Sequence, residues 1–346
     1  MKRNKLVGRR IIKTAISVFI TAIICLYLGL PAEFAIIAAI VTVEPTASDS
    51  LKRGLIRLPA SAIGAAFAVM FVAFFGESAI AYTLAAIFTI FVCQRLKLHA
   101  GILVATLTAV AMIPDINGHY LLSFISRLGT TATGLIVSSI VNFTMLHPKY
   151  NPLIEEKLNP NIELTRNVLQ QTMDRIVELK HATAPSAQSN YIKLRRSIEK
   201  ISELIMFQEK EWKYRRVKLS EYRSFKKLKR VNTIVQKLVL HLGNLQYVNE
   251  PGYFNEREKD LVLKVTKSIT NILKQPRYTI SDHHYALIHD LDQTLKYESN
   301  HMKKSDEYFH HFTTKRIVYF QLLSIHDSLE ELERLYQKNE GSDHTE

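Results

Sequence analysis

The sequence predicts an all-α protein in two unlike halves. Residues 1–150 read as a six-helix transmembrane bundle, residues 151–338 as a cytoplasmic helical bundle, and 339–346 as a disordered tail. Three observations predict this. Charge is partitioned: residues 1–150 hold 13 Lys+Arg and 5 Asp+Glu, against 32 and 27 in the other 196. A mean hydropathy of zero therefore averages an apolar half and a polar one. The apolar half is a succession of runs of membrane-helix character. The polar half carries apolar residues at helical spacing, with no competing strand alternation. A uniform globule and a disordered chain are both excluded.

The first run, residues 11–30, is long enough to cross a hydrocarbon core of about 30 Å at about 1.5 Å per residue. It is too long for a signal-peptide core, and no A-x-A-like cleavage site closes it. Further segments follow at 34–45, 59–76, 78–93, 100–114 and 121–146. With a cytoplasmic N-terminus, the inner connections hold Lys52, Arg53, Arg57, Arg95, Lys97 and Lys149. The outer ones, around Pro31, Gly76 and Pro114–Leu121, hold only Glu33, Glu77 and Asp115. That asymmetry predicts a multi-pass membrane protein with both termini cytoplasmic.

The second and fifth segments are short. "FAIIAAIVTVEP" gives about 18 Å of helix, and each segment ends at a proline, Pro45 or Pro114. After each proline comes a related octet, RLPASAIG at Arg57–Gly64 and RLGTTATG at Arg127–Gly134, 70 residues apart. Three helices per copy would set the copies in opposite orientations, and broken segments at matching places in inverted halves point to a transport site. The alternative is that small residues recur because they let membrane helices approach closely.

Charges within such segments cost about 2.5–3.5 kcal/mol each at a membrane centre, so they carry the most information. Lys13 is close enough to the inner end of its helix to snorkel, and Arg57 reads as an inner-boundary residue. Arg127 falls about 9 Å in from the outer end if its helix starts near Leu121. Gly129, Thr130, Thr131 and Gly134 follow it as a small face. A buried guanidinium wants a carboxylate, from a ligand or from the chain, and Glu44, just before Pro45, is the internal candidate. A structural ion pair or an interfacial anchor are the other readings of Arg127.

In the polar half, Leu194, Ile198, Ile201 and Ile205 form one apolar stripe. Val231, Val235, Leu238, Leu242 and Leu245 form a second, and Val318, Leu322, Ile325, Leu329 and Leu332 a third. Five or six packed helices are expected. "ATAPSAQS" at 182–189 and "NEPGY" around Pro251 read as loops. His283, His284 and His289 form one histidine group. His310 and His311, with Asp306 at i−4 to His310, form another with metal-compatible spacing. No metalloprotease motif accompanies them, and the reading adopted is solvated helix faces with no metal. Trp212 reads as an anchor for a helix contact or for the membrane surface.

The net charge of +13 does not indicate nucleic acid. Lys2, Arg3, Lys5, Arg9 and Arg10 precede the first apolar run, and the polar half interleaves both signs as solvated helices do. Cys25 and Cys93 both lie inside apolar runs, against a disulfide framework or a Cys-rich zinc site. Phosphate loops, a nucleophile elbow and kinase signatures are absent, so neither an enzyme nor a cofactor is expected.

The stretch from Arg127 through Gly134 to Val141-Asn142 and His147-Pro148-Lys149-Tyr150 resembles the bacterial aromatic acid exporter family. That family is related to fusaric-acid-resistance proteins and, more distantly, to plant aluminium-activated malate transporters. His147-Pro148 stands where a double proline is expected. The resemblance covers essentially the whole chain and implies a transport class, a homodimer, and basic residues lining an anion path. That points to Arg127 first, then Arg57 and Lys13. The expected function is an exporter or channel for organic anions, chiefly aromatic carboxylates, with membrane lipid as surroundings. A membrane-anchored scaffold or sensor, whose soluble bundle binds a partner, is the alternative.

Overall fold

The computed structural model describes residues 5–116, 118–145, 150–177, 184–213, 217–246, 248, 254–300 and 313–337. Among them every regular element is helical. Residues 147–149, 249–253, Asp306, His310, His311 and the tail at 339–346 lie outside the described residues. The chain divides into two compact units: Met1–Lys149 with Phe207–Arg216, and Tyr150–Met206 with Val217–Glu346.

The first unit contains α1 (Lys5–Tyr27), α2 (Ala32–Thr42), α3 (Ala47–Phe75), α4 (Ala79–Arg95), α5 (Ile102–Met112) and α6 (Tyr120–Thr144). Three stretches are long and apolar enough to cross a membrane: Arg10–Tyr27, Ala47–Phe75 and Tyr120–Thr144. By contrast α2 and α5 have 11 residues each, about 16 Å of helix and roughly half of a hydrocarbon core.

The prolines act differently from expectation. α3 begins at Ala47, not near residue 59, and runs through Pro59. Its start is set by Thr46, whose side chain accepts from the Asp49 backbone N–H at 3.1 Å. Inside the helix Pro59 forfeits one backbone hydrogen bond, which surrounding packing tolerates in apolar helices. Lys52, Arg53 and Arg57 therefore ride on α3 and not in a connection. Pro114 sits early in a 3-10 turn, Ile113–Asp115, that prolongs α5, where a missing N–H costs little. Pro45 is the true break: α2 stops at Thr42, Val43 is extended, and the residue before a proline disfavours helix.

α1 packs on α2 and α6, while α4 packs on α5 and α3; α2 lies against α6, α5 against α3, and α3 against α6. Exchanging α1–α3 for α4–α6 leaves this set of neighbours unchanged. The buried faces correspond as well. α2 buries Ala35, Ala38, Ala39 and Thr42, and α5 buries Ala105, Thr108, Ala109 and Met112, each 70 residues on. A Cβ on Gly64 would overlap the Ala105 carbonyl oxygen, and one on Gly134 would overlap that of Ala35. Between α3 and α6, Ser61 Oγ lies 3.4 Å from Thr131 Oγ1, and it also meets Thr108 Oγ1 at 3.1 Å. Small side chains thus fill the interior while Phe19, Phe74, Ile87, Phe91 and Leu121 are exposed.

The second unit holds α7 (Asn151–Val177), most of α8 (Ala184–Trp212), α9 (Leu219–Gln246), α10 (Glu256–Lys274), α11 (Asp282–Asn300) and α12 (Thr314–Gln337). All three expected stripes are buried, none of their residues more than 6% exposed. Residues 184–189, expected as loop, form the start of α8; Pro185 stands in its first turn, where proline is accommodated. The first histidine group is split. His283 and His289 are exposed, but His284 is fully buried. Its Nδ1 pairs with Ser268 Oγ at 2.8 Å and its Nε2 with His326 Nδ1 at 3.2 Å. Burial, then the facing His326, lowers the His284 pKa to about 4, and burial lowers that of His326. Among the described residues no cluster of three metal-ligating side chains forms. Trp212, half-buried at the end of α8, lies in the segment that clusters with the first unit.

Candidate functional site

At one end of the first unit is a cavity of about 700 Å³ bounded by the start of α2, the end of α5 and the start of α6. Phe34, Met112, Ile116 and Leu122 form its apolar wall; Ser123, Ser126 and Thr130 add hydroxyls, and Glu33, Asp115 and His119 stand at its exposed rim. Arg127 lines it and is 6% exposed. Its guanidinium carbon lies 3.1 Å from the centroid of the Phe34 ring. Its Nε and Nη1 are buried without a hydrogen-bond partner among the described residues. Such a group is expensive: a buried charge is ordinarily paired, and leaving it unpaired costs several kcal/mol. The cation–π contact, about 0.5–2 kcal/mol, and the attraction of the exposed Asp115 carboxylate offset part of that.

At the other end of α2 the arginine is paired. Arg57, 5% exposed, donates from Nη2 to Glu44 Oε1 at 3.0 Å, from Nη1 to the Val41 carbonyl at 3.0 Å and from Nε to the Ala100 carbonyl at 3.3 Å. Arg53 Nη1 reaches the same Glu44 oxygen at 3.1 Å. Glu44 is therefore the partner of Arg57 and Arg53, not of Arg127. The reason is length: Phe34 and Glu44 are ten residues apart, and α2 alone spans about 16 Å. Glu44 sits at the end of α2 opposite to the one Arg127 covers.

Around Glu44 the extended link between α2 and α3 is tied down. Ser50 Oγ donates to the Thr42 carbonyl at 2.7 Å and accepts from the Glu44 N–H at 3.1 Å. Asn142 Nδ2 contacts Ser50 Oγ at 2.6 Å and the carbonyls of Glu44 and Thr46 at 3.1 and 3.2 Å. Lys13 Nζ donates to Asn142 Oδ1 at 2.7 Å. Lys13 is thus buried at 5% exposure and engaged, not snorkelling, and Asn142 is the hub of these contacts. The last turns of α8 join in: Lys210 Nζ lies 3.0 Å from each Asp49 carboxylate oxygen, and Glu211 accepts from the Ala47 N–H at 2.8 Å.

The structure thus brings Arg57 and Glu44 together and Lys13 and Asn142 together, and leaves Arg127 apart. Gly64 and Gly134 mark the two close approaches that bring α5 and α2 against α3 and α6. Sequence reasoning missed Phe34, Ser50, Ser123 and Ser126, and read Thr130 only as part of a small packing face. Phe34 had a signal, since it is the aromatic residue in the first turn of a short helix opposite a buried arginine.

Residues 5–145 match the family described as aromatic acid exporter family member 1. Over 344 residues the chain is 40% identical to a UPF0421 protein of Bacillus cereus, covering 99% of this chain and 97% of that one. A UPF0421 protein of Halalkalibacterium halodurans is 40% identical over 329 residues, 95% of this chain and 89% of its own. One from Staphylococcus haemolyticus is 38% identical over 325 residues, 92% and 95% of the two chains.

Proposed function

The chain belongs to the aromatic acid exporter family, and from that premise we propose that it is an exporter or channel for organic anions, chiefly aromatic carboxylates. One observation carries the reading: a buried guanidinium, without a hydrogen-bond partner on two of its nitrogens, lines a cavity with an apolar wall. An arginine presents a planar fork matched to a carboxylate, and Phe34, Met112 and Leu122 accept an aromatic body. The rim carboxylates Glu33 and Asp115 are exposed, so solvent and salt screen them more than the buried cation.

The six helices of the first unit then form a transmembrane bundle of two inverted three-helix copies. The neighbour exchange, the matched glycines and the Ser61–Thr131 contact support that arrangement. α2 and α5, too short to span, leave a polar route in line with their ends. Both termini face the cytoplasm of a bacterium, the Arg127 cavity faces outward, and two copies associate about a twofold axis. Lys13 and Asn142 hold the inner end together and stay out of the path. An interior-negative potential favours anion exit by about 2.3 kcal/mol per charge per 100 mV, so no nucleotide is needed.

The test is uptake by reconstituted vesicles of a panel of carboxylates, from benzoate and hydroxybenzoates to malate, under an imposed potential. Potential-driven flux of the aromatic members is expected, reduced on the order of 100-fold in Arg127→Ala if the lost contact contributes about 3 kcal/mol. Wild-type flux through Arg127→Ala would reject the role of this residue, and no flux of any carboxylate would reject the function.

A further inference from the structure

We infer that the start of α9, Leu219 to Arg230, is a docking face for anionic phospholipid headgroups of the membrane that holds the first unit. The inference rests on the membrane placement of that unit and is independent of the anion route.

Charge is the first observation. Residues 212–230 hold nine Lys+Arg and a single acid, Glu221. The other 177 residues beyond position 150 hold 23 Lys+Arg and 26 Asp+Glu. The positive balance of the polar half therefore comes wholly from this one stretch.

The helix then sorts the charge. At about 3.6 residues per turn, Leu219, Tyr222, Arg223, Lys226, Lys229 and Arg230 share a face, turned away from the buried stripe of Val231, Val235 and Leu238. All six are exposed, Leu219 by 62% and Tyr222 by 49%. Glu221, two residues from both Leu219 and Arg223, falls on the other side. The face also has an end. Arg230 shares a hollow with Asp327 and Glu331, and one turn on Lys237 is bonded to Glu331. Lys227, off the face, stands 4.0 Å from the centroid of the Tyr336 ring.

The mix of side chains and the course of the chain identify the occupant. Each Lys or Arg near an anionic leaflet raises binding roughly fivefold. Nucleic acid would use the same cations, but an exposed leucine gains nothing from phosphates. Beside a tyrosine it suits the apolar edge of a headgroup layer. Residues Phe207–Arg216, just before α9, cluster with the first unit. There Lys210 pairs with Asp49, and Glu211 accepts from the N–H of Ala47, the first residue of a helix long and apolar enough to cross a membrane. Leu219 follows Glu211 by only eight residues, so the basic face comes directly after a segment at a membrane boundary.

The experiment uses the full-length chain in lipid nanodiscs. Trp212→Phe with Leu219→Trp leaves one tryptophan, placed on the face. Its emission is read with and without a lipid carrying a nitroxide quencher on its headgroup. Quenching should be at least twofold stronger with roughly a third phosphatidylglycerol than in phosphatidylcholine alone, and about 0.5 M salt should remove the difference. Arg223→Glu, Lys226→Glu and Lys229→Glu together should bring quenching down to the phosphatidylcholine level, whereas Lys227→Gln and Lys237→Gln should leave it unchanged. Equal quenching in the two lipids, or no response to the triple reversal, overturns the inference. Should the reversed chain not fold, the lipid and salt comparison on the unreversed chain still decides. A spectral shift on adding polyuridylate, with no response to phosphatidylglycerol, would assign the face to nucleic acid and overturn it too. A chain that does not enter the discs at all would overturn the membrane placement, and this inference with it.

Discussion

The two ends of the first unit start from nearly the same octet and finish differently. At one end Arg57 is fully engaged by a carboxylate and two backbone carbonyls; at the other Arg127 has a phenyl ring and a cavity. The difference shows that a buried arginine is not itself a functional signal. What matters is whether the chain closes an ion pair on it: Arg57 has a hydrogen-bonded carboxylate, whereas Arg127 has only the longer-range attraction of the exposed Asp115.

The strongest way to break the comparison is to make the same substitution at both ends. Arg57→Ala strips Glu44 of its principal partner, and a broken buried pair costs about 3–5 kcal/mol, softened here by Arg53. Thermal unfolding in detergent should show a loss of up to about 3 kcal/mol. Arg127→Ala breaks no hydrogen-bonded ion pair and removes only the attraction of the exposed Asp115, so it should unfold near the wild-type temperature or above while losing flux. Equal destabilisation by both would erase the distinction.

A second comparison sharpens the symmetry. Gly64→Ala and Gly134→Ala should each destabilise by about 1–3 kcal/mol, because each Cβ meets a backbone carbonyl that cannot swing aside. Gly129→Ala, with nothing within 4 Å, should be neutral or gain up to about 1 kcal/mol from helix propensity. Sharply unequal losses at the matched pair would speak against two equivalent copies. A smaller effect is expected from Phe34→Leu, which keeps the apolar wall and removes the ring under the guanidinium. At roughly 0.5–1 kcal/mol, benzoate affinity should change two- to fivefold in dialysis.

The second unit offers a contrast of another kind. Its core is of large side chains, Leu, Ile, Val and Met, whereas the first unit buries Ala, Ser, Thr and Gly and exposes Phe, Ile and Leu. The first arrangement suits water as solvent and the second suits lipid, where close backbone approach replaces the hydrophobic drive. His284 is one of the buried polar side chains in that core. Its folded pKa lies below its unfolded value, so the stability it confers is complete above about pH 6.5 and is lost as pH falls toward about 4. Melting curves followed by circular dichroism should show that loss, and His284→Met should reduce it. An unchanged pH profile would mean that another group controls acid unfolding.

Much of this was legible from residues alone. The stripes through Val231, Leu194 and Val318 were readable because soluble helices bury large residues at a 3.6 period. The shortness of α2 and α5 followed from apolar run length. The start of α3 was misplaced because Pro59 reads as a boundary, whereas the Thr46 cap decides. Arg127 was identified but its partner was not. Nearness of Glu44 to a helix end says nothing about which end, and α2 separates the two by its full length. The Lys13–Asn142 bond joins residues 129 apart, which no local pattern announces. Nor did the exposed neighbours His283 and His289 distinguish the buried His284.

The central claim is that the Arg127 guanidinium receives a carboxylate in the cavity beside Phe34. A structure of the full-length protein with 4-iodobenzoate, located by the anomalous signal of iodine, tests it most directly. The account predicts the carboxylate within hydrogen-bond distance of the Arg127 guanidinium, with the iodinated ring among Met112, Ile116 and Leu122. An empty cavity at saturating ligand, with iodine bound elsewhere, would contradict it.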